Sequence, residues 1–332
     1  MDPIERVQAV LAGQHPDRPP VSFWCHFAQD RVCGPAAVEA HIAHQQSFDL
    51  DFLKVMNDNP YPSAKPIERP ADLHALPVLR GDEPEFARQL DLLAALKSRL
   101  GGRVWINTTV FNAWTTLRHL VRPPQRHQPP RLSGEDEPTA TLRQYFEQDP
   151  DGMRHALGRI GASLSNFARR CIEAGADGVF LSVRDDWLDG VQDHSPLYRQ
   201  LVEPTDREIL AAAERGRLNV LHVCGRAVDF PAFAAYPCHV LNWADRAAGP
   251  SVADVVGWLK PAPAAGVDNL STLPMGSPED VRGEVNDALR QAGDRPLIIA
   301  PGCTYDPDSV PAANLHAMVE AARGWAYGRQ SE

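Results

Sequence analysis

One histidine and two cysteines are the residues of this sequence whose types and spacing could bind a metal. His222 and Cys224 stand two apart in the apolar run NVLHVCG (219–225), and Cys303 lies in APGCTYDP (300–307). Side chains two apart on a β-strand face the same side, so an imidazole and a thiolate would point to one place. Zn²⁺ prefers these ligands, and a catalytic zinc keeps one position open for water or substrate. The alternative interpretation is that they are ordinary buried core residues.

Strands must position these side chains, and the sequence contains eight candidates. Each is a short apolar, β-branched or aromatic run, and segments of helical periodicity lie between most of them. Eight strands alternating with helices in a chain of 332 residues predict an α/β fold, a (β/α)8 TIM barrel that forms a single domain over residues 1–332. The candidate strands are residues 19–24, 51–56, 104–110, 178–183, 218–224, 238–243, 264–271 and 296–303.

The connections between the strands carry helix signals and two irregularities. Ser277 followed by Pro278 is typical of a helix start, and Gly293 is typical of the end of the same helix. Only about a dozen residues separate the fifth candidate strand from the sixth, so we expect a short or irregular connection there. The proline-rich segment 121–139 predicts an irregular excursion, either a surface loop or a lid over the barrel mouth.

In a TIM barrel the catalytic groups lie at the carboxyl ends of the strands, and several further candidates follow strands here. Asp58 and Asp185 are candidate catalytic residues, and Asp185 could bind a substrate cation or act as an acid or a base. The alternative interpretations are an Asx turn before Pro60 for Asp58 and a helix cap for Asp185. Side chains at the strand ends could also bind substrate through stacking, hydrogen bonds or charge. These candidates are Trp24, Phe111, Asp186, Asn242 and Trp243.

The composition bears on the partners and the compartment. A formal net charge of −10 argues against a nucleic-acid surface. No apolar run approaches the roughly 18 residues of a membrane span, and the N-terminus is unlike a signal peptide. The six cysteines form no CxxC pair, which is typical of thiols in a reducing compartment. We expect a cytoplasmic protein with a small-molecule or protein partner; the apolar flank of a barrel would permit a homodimer.

Three stretches along the chain resemble the uroporphyrinogen decarboxylase superfamily. RVQAVLAGQHPDRPPVSFW (6–24) is similar to its opening helix, Asp-Arg-Pro-Pro turn and first strand. CIEAGADGVFLS (171–182) is similar to its helix-to-strand signature, and PGCTYDPDSVPAANLHAMVEAAR (301–323) to its closing loop and helix. The resemblance implies the TIM-barrel fold.

The superfamily contains porphyrinogen decarboxylases and zinc-dependent methyltransferases. The decarboxylases resemble one another in an Arg-Gln-Ala-Gly-Arg motif whose arginines meet substrate carboxylates, whereas this chain has FWCHFAQDR (23–31) there, with only Arg31 nearby. Because burying carboxylates without cations is costly, uroporphyrinogen decarboxylation is disfavoured. The methyltransferases have His-x-Cys on one strand and a distant Cys in a Gly-Cys turn, and His222, Cys224 and Cys303 match these positions.

The resemblance to that branch implies an enzyme that moves a methyl group from a corrinoid to a small-molecule thiol. Zn²⁺ would bind the acceptor thiol and hold it as the thiolate at neutral pH. The barrel leaves no room for a corrinoid-binding domain, so we expect a methyl-corrinoid to arrive on a partner protein or as a small molecule. Two alternatives are a zinc enzyme of another group-transfer or lyase reaction, and a barrel that binds a tetrapyrrole without catalysis.

Overall fold

The computed structural model of the chain describes residues 1–63, 65–123, 137–184, 196–225 and 229–327. Within this part, the protein has an α/β fold built on a parallel sheet of seven strands, and each strand pairs with the next along the chain. The strands are β1 Phe52–Val55, β2 Trp105–Phe111, β3 Gly178–Arg184, β4 Val220–Cys224, β5 Val240–Trp243, β6 Ala262–Val267 and β7 Ile298–Pro301.

Helices precede, connect and follow the strands. None of those described combines the length and the apolar character needed to cross a membrane. They are α1 Pro3–Leu11, α2 Gly34–Phe48, α3 Pro84–Leu100, α4 Ala113–Val121, α5 Glu137–Gln148, α6 Pro150–Glu173, α7 Pro196–Leu201, α8 Glu203–Ala212, α9 Phe230–Ala234, α10 Val252–Val255, α11 Thr272–Met275, α12 Pro278–Ala292 and α13 Ala312–Gly324.

Strand side chains divide between two hydrophobic layers because successive residues of a strand face opposite sides. On β3, Val179, Leu181 and Val183 pack with the helices in the larger cluster. Phe180 belongs to a smaller cluster on the other face of the sheet, which we call the inner face. The inner-face cluster includes Trp24, Phe52, Met56, Trp105, Phe180, Val220, Val240, Ala264 and Ile298.

The first predicted strand, residues 19–24, forms an isolated bridge instead of a regular strand. Val21 makes one parallel bridge to Ile299 of β7. The Ile299 N–H donates to the Pro20 carbonyl at 2.8 Å, and the Asp51 N–H donates to the Val21 carbonyl at 3.0 Å. The segment therefore hydrogen-bonds beside both β7 and β1, an arrangement consistent with a TIM-barrel-like fold. Proline at position 20 has no N–H, which interrupts a regular ladder.

A buried ion cluster holds this segment beside β1. The Asp51 carboxylate is fully buried and accepts from Arg6 Nη1 at 2.6 Å and from Arg18 Nη1 at 2.8 Å. It also accepts from the Val21 N–H at 2.7 Å, while Asp17 pairs with Arg6 at 2.7 Å. The Asp-Arg-Pro-Pro turn thus has a structural role, because its arginine joins the segment to the start of β1.

The connections match the sequence analysis in two places. Ser277 caps α12, where its hydroxyl accepts from the Asp280 N–H at 3.2 Å, Pro278 is the first helical residue and Gly293 ends the helix with φ 59°. In the described part of the connection between β4 and β5, residues 225 and 229–239, the helix α9 has five residues, which agrees with the expected short crossover.

The predicted excursion at residues 121–139 has helical ends. Helix α4 runs to Val121 and α5 begins at Glu137, while residues 124–136 lie outside the described part of the chain. The Arg118 Nε donates to the Thr139 hydroxyl at 3.0 Å and so joins the two helices. The choice between a surface loop and a lid stays a prediction.

Candidate metal centre

The three candidate metal ligands come together at the carboxyl end of the sheet. His222 and Cys224 lie on β4, and Cys303 follows β7 by two residues. Their ligand atoms all lie within 4.8 Å of one another, and Cys303 Sγ is 3.4 Å from His222 Nε2. Zn–S bonds of about 2.3 Å and Zn–N bonds of about 2.0 Å place the ligand atoms of a tetrahedral site roughly 3.5–3.8 Å apart. The donor set therefore suits one zinc ion, and the 3.4 Å between Cys303 Sγ and His222 Nε2 is close to the separation of two ligands in such a site.

Asn242 connects His222 to the neighbouring strands. It lies opposite His222 in the β4–β5 register, and its Oδ1 is 2.6 Å from His222 Nδ1. Its amide nitrogen donates to the carbonyls of Ala264 at 2.8 Å and Pro301 at 3.1 Å. The side chain is fully buried, so these contacts hold the imidazole of His222 in one orientation.

A hydrogen bond between the two thiols separates their pKa values. The bond from Cys224 lowers the pKa of Cys303 to about 6 against the opposing effect of burial, and the Thr304 hydroxyl and the Lys54 ammonium lower it further. The same bond, together with burial, raises the pKa of Cys224. One thiolate is thus favoured by the protein itself, and a thiolate is the form that binds a metal.

Lys54 is a buried cation near the cluster that the sequence analysis missed. Its Nζ lies 4.0 Å from the centre of the Phe180 ring and 5.0 Å from the centre of the Trp24 ring system. Burial lowers the pKa of Lys54 to about 7, although the nearby Cys303 and Asp58 act in the opposite direction. The ammonium therefore contributes positive charge to the environment of the Cys303 sulfur.

The sequence did carry a signal for Lys54. In the predicted strand DFLKVM (51–56), Lys54 stands two residues from Phe52 and two from Met56, and both of these belong to the inner-face cluster. On a strand, this spacing places Lys54 on the same face as the two buried apolar residues. Such a position is unusual for a lysine, because lysine is almost never fully buried unless it is paired. The alternation could have placed Lys54 on the same face as His222.

The candidate catalytic residue Asp58 lies beyond the carboxyl end of β1 and faces His26. The Asp58 Oδ1 is 2.7 Å from His26 Nδ1, and the side chain of His26 is half exposed. The Asx-type contact of this turn is made by Asn57, whose Oδ1 accepts from the Asn59 N–H at 3.3 Å. Asp58 is not one of the three ligand residues of the cluster. Its role in catalysis stays a prediction.

The aromatic candidates occupy different environments. Trp24 is buried and packs edge-to-face on Phe180, with ring centroids 4.9 Å apart, so it lies on the inner face. Phe111 ends β2, is half-buried and contacts His119 of α4 at 5.2 Å between ring centroids. Trp24 therefore lies in the surroundings of the cluster, and Phe111 lies at the carboxyl end of β2 beside α4, in register with Ser182 of β3, which in turn pairs with His222.

Trp243 does not line the cluster as the sequence analysis expected. It follows Asn242 on β5, so its side chain faces the helices, where it packs on Phe230 of α9 at 4.8 Å between ring centroids. Its indole N–H donates to the Pro250 carbonyl at 2.8 Å. The alternation of the strand places only one of these two adjacent residues beside the metal ligands.

The remaining candidates, Asp185 and Asp186, lie outside the described residues.

Two surface cavities lie away from the cluster. One has a volume of about 380 Å³ and is lined by residues that include Phe230, Pro250 and Trp258. The other has a volume of about 360 Å³ and is lined by residues that include Leu11 and Lys260. Neither contains one of the three ligands, so the convergence of imidazole and thiols identifies the candidate site, and cavity size does not.

The sequence was compared with models of known protein families. The family model described as Uroporphyrinogen decarboxylase (URO-D) matches residues 40–325. The chain belongs to the uroporphyrinogen decarboxylase family. The match confirms the resemblance found in the sequence, while a search among curated proteins gave no match.

Solved structures similar to this family member share its fold over most of the chain. A methyltransferase from Methanosarcina mazei superimposes with a TM-score of 0.67 and 17% sequence identity, covering 97% of this chain and 98% of that one. A B12-independent methionine synthase from Shewanella sp. W3-18-1 superimposes with a TM-score of 0.54 and 9% identity, covering 93% and 97%. At these identities the likeness shows the fold alone.

Proposed function

We propose that the protein is a zinc-dependent methyltransferase that moves a methyl group from a corrinoid to a thiol acceptor. The observation that carries the proposal is the meeting of His222, Cys224 and Cys303 at the carboxyl end of the sheet, with ligand atoms within 4.8 Å of one another. Membership of the uroporphyrinogen decarboxylase family supports it, as does the fold shared with the methyltransferase from Methanosarcina mazei.

The chemistry needs a nucleophilic sulfur at neutral pH. Zinc held by the three side chains would act as a Lewis acid with a fourth position for the acceptor sulfur, and so would lower the pKa of the acceptor thiol. The acceptor thiol would lose its proton to solvent and bond to the methyl carbon, and a methyl-corrinoid would supply that methyl group and keep the electron pair of the broken carbon–cobalt bond. His222 is held for this task by Asn242, and Cys303 is favoured as a thiolate by Cys224 and Lys54.

The carboxyl end of the strands is the side from which a methyl donor would approach this site. The ligands lie at the carboxyl end of the parallel strands, which is the end where barrels of this type carry their active sites. A corrinoid carried by a partner protein would approach that end and present its methyl group to the acceptor sulfur. We therefore expect a protein partner that is large enough to cover this end of the sheet.

The metal is tested first, by mass spectrometry on the purified protein and its variants. We expect about one zinc per chain, lost in Cys224→Ser and in Cys303→Ser because each change removes a thiolate ligand. Cys238→Ser is the matched control, since Cys238 is also partly buried and is not part of the cluster. Retention of zinc in both ligand variants would refute the assigned site.

The transfer is tested next, by absorbance of a methyl-corrinoid mixed with the zinc-loaded protein and a small thiol. Loss of the methyl-cobalt spectrum and formation of the methyl thioether are expected with the wild-type protein and absent with Cys303→Ser. Zinc without any methyl transfer would favour another zinc-dependent group-transfer or lyase reaction. Absence of zinc after reconstitution would favour a tetrapyrrole-binding barrel.

A further inference from the structure

The larger of the two surface cavities has aromatic walls. Its volume is about 380 Å³, and it is lined by the start of α9, residues 248–250, the end of α10 and Trp258. Trp258 is 49% exposed, whereas every other tryptophan, tyrosine and phenylalanine in the described part of the chain is buried or half-buried. An exposed indole that lines a concave surface is typical of a place where a ligand binds.

Hydrogen bonds and ring contacts hold the walls of this cavity in place. The Trp258 indole N–H donates to the Asp254 carbonyl at 2.9 Å. The Phe230 ring meets the Trp258 ring at an angle of 85° with centroids 5.9 Å apart, and on its other contact it packs on Trp243 at 4.8 Å. The two rings therefore form perpendicular walls that need little rearrangement to receive a ligand, which lowers the cost of binding.

The charge at this cavity is negative. Of the eight residues that line it, only Asp254 is charged. The Ser251 hydroxyl and N–H donate to one oxygen of this carboxylate at 2.6 Å and 3.0 Å, and these bonds lower the pKa of Asp254. The guanidinium of Arg295 donates to the Val256 carbonyl at 3.3 Å and is not one of the lining residues. The cavity thus combines aromatic faces with one carboxylate.

We infer that this cavity binds a small quaternary ammonium cation. A cation over an aromatic ring is attracted by the ring quadrupole, most strongly over tryptophan, and the Asp254 carboxylate supplies the complementary charge. The methyl groups of such a cation suit the apolar surfaces of Pro231 and Pro250, which complete the walls. An anion would be repelled by the carboxylate, and an uncharged apolar molecule would gain nothing from it.

This site is separate from the candidate metal centre. None of the three metal ligands lines the cavity, and Trp243, which packs behind Phe230, faces the helices on the side of the sheet opposite Asn242. The inference therefore goes beyond the proposed function and rests neither on zinc nor on methyl transfer.

Two compounds of the same shape test the inference. Choline carries a charged nitrogen where 3,3-dimethylbutan-1-ol has a neutral carbon, and isothermal titration calorimetry measures the dissociation constant of each for the full chain. We expect choline to bind at least about 5-fold more tightly, because the attraction to the indole and the carboxylate acts on the charge alone. Equal constants for the two compounds, or no binding of choline, would overturn the inference.

Variants of the indole assign the preference to Trp258. Affinity for choline should fall from the wild type to Trp258→Phe and further to Trp258→Leu, by about 5-fold in the leucine variant, because the attraction weakens with the aromatic surface. A merely apolar role of the side chain would weaken the binding of both compounds equally and would refute the inference. Trp325→Leu is the control, since Trp325 is half-buried and does not line the cavity.

The carboxylate is tested by Asp254→Asn beside a matched control, Asp280→Asn. Asp280 makes the same capping contacts at the start of α12, where the Ser277 hydroxyl donates to its carboxylate at 2.7 Å. Both changes remove a capping charge, but only Asp254→Asn should weaken choline, by about 2-fold or more, and it should leave the alcohol unaffected. The same choline affinity in the two variants would refute the role of Asp254.

Two further measurements identify the source of the cation and exclude another occupant. Vesicles of phosphatidylcholine carry the same head group: co-sedimentation that depends on Trp258 would assign the cation to a lipid, and its absence together with choline binding would assign it to a free molecule. Sedimentation velocity without choline tests a second copy of the chain. A dimer that dissociates in Trp258→Leu would place a partner subunit on the cavity and overturn the inference.

Discussion

The Oδ1 atom of Asn242 lies 2.6 Å from Nδ1 of His222, and this contact determines which imidazole nitrogen can bind a metal. The amide nitrogen of Asn242 donates to the carbonyls of Ala264 and Pro301, so its oxygen is left as an acceptor. His222 Nδ1 must therefore carry the proton. The lone pair of Nε2 then faces Cys303, whose sulfur is 3.4 Å away.

Removing this contact should weaken metal binding without removing a ligand. Asn242→Ala is expected to lower zinc affinity by roughly 10- to 100-fold, because the imidazole loses the partner that holds its tautomer and its orientation. Competition with a chromophoric chelator measures the change. Asn314→Ala is the matched control, since Asn314 is also buried and also donates to two carbonyls, those of Leu273 and Gly276. Equal zinc affinities in the two variants would refute the positioning role.

The ion cluster at Asp51 should dominate the stability of the segment that lies beside β1. Asp51→Ala leaves Arg6 and Arg18 without their shared carboxylate, so we expect the free energy of unfolding to fall by roughly 3–5 kcal/mol. Urea denaturation measures this loss. Glu39→Ala in helix α2, which breaks an exposed pair with Arg99, is expected to cost at most about 1 kcal/mol. A similar small loss in Asp51→Ala would contradict the assigned role.

Stability should depend on pH through the buried carboxyl of Asp206. Burial raises the pKa of this group from 3.8 to about 7, although Tyr198 and Tyr236 donate hydrogen bonds to it at 2.8 Å and 3.2 Å. Its folded-state pKa thus exceeds its unfolded value, so its contribution to stability is fully present below about pH 3.8 and is lost as the pH rises through about 7. The charge of nearby Glu203 raises the pKa in the same direction.

Urea denaturation between pH 5 and pH 8 tests this dependence against Asp206→Asn, which keeps an oxygen that accepts hydrogen bonds and removes the titration. Between pH 5 and pH 8 the wild-type protein should lose roughly 3 kcal/mol relative to the variant, since one pKa unit corresponds to about 1.4 kcal/mol and part of the loss has already occurred below pH 5. Parallel stability curves for the two proteins would contradict the assignment to Asp206.

The sequence predicted those features that depend on local patterns. The short apolar runs predicted seven of the strands that form, and the Ser277-Pro278 pair and Gly293 predicted both ends of α12. The prediction of a regular strand at residues 19–24 was wrong because its composition suits a strand, whereas its prolines leave a single isolated bridge, from Val21 to Ile299 of β7.

By itself, the sequence determined the class of the fold, the family and the choice of His222, Cys224 and Cys303 as the candidate ligands, because periodicity and ligand chemistry are properties of residue type and spacing. Only the tertiary structure decided which buried side chains share the inner face with those ligands. In the structure, Lys54 lies on the inner face, whereas Trp243 packs on the opposite face against the helices. The reason is physical: a shift of one residue along a strand moves a side chain to the opposite face, and the register with neighbouring strands sets which side chains meet.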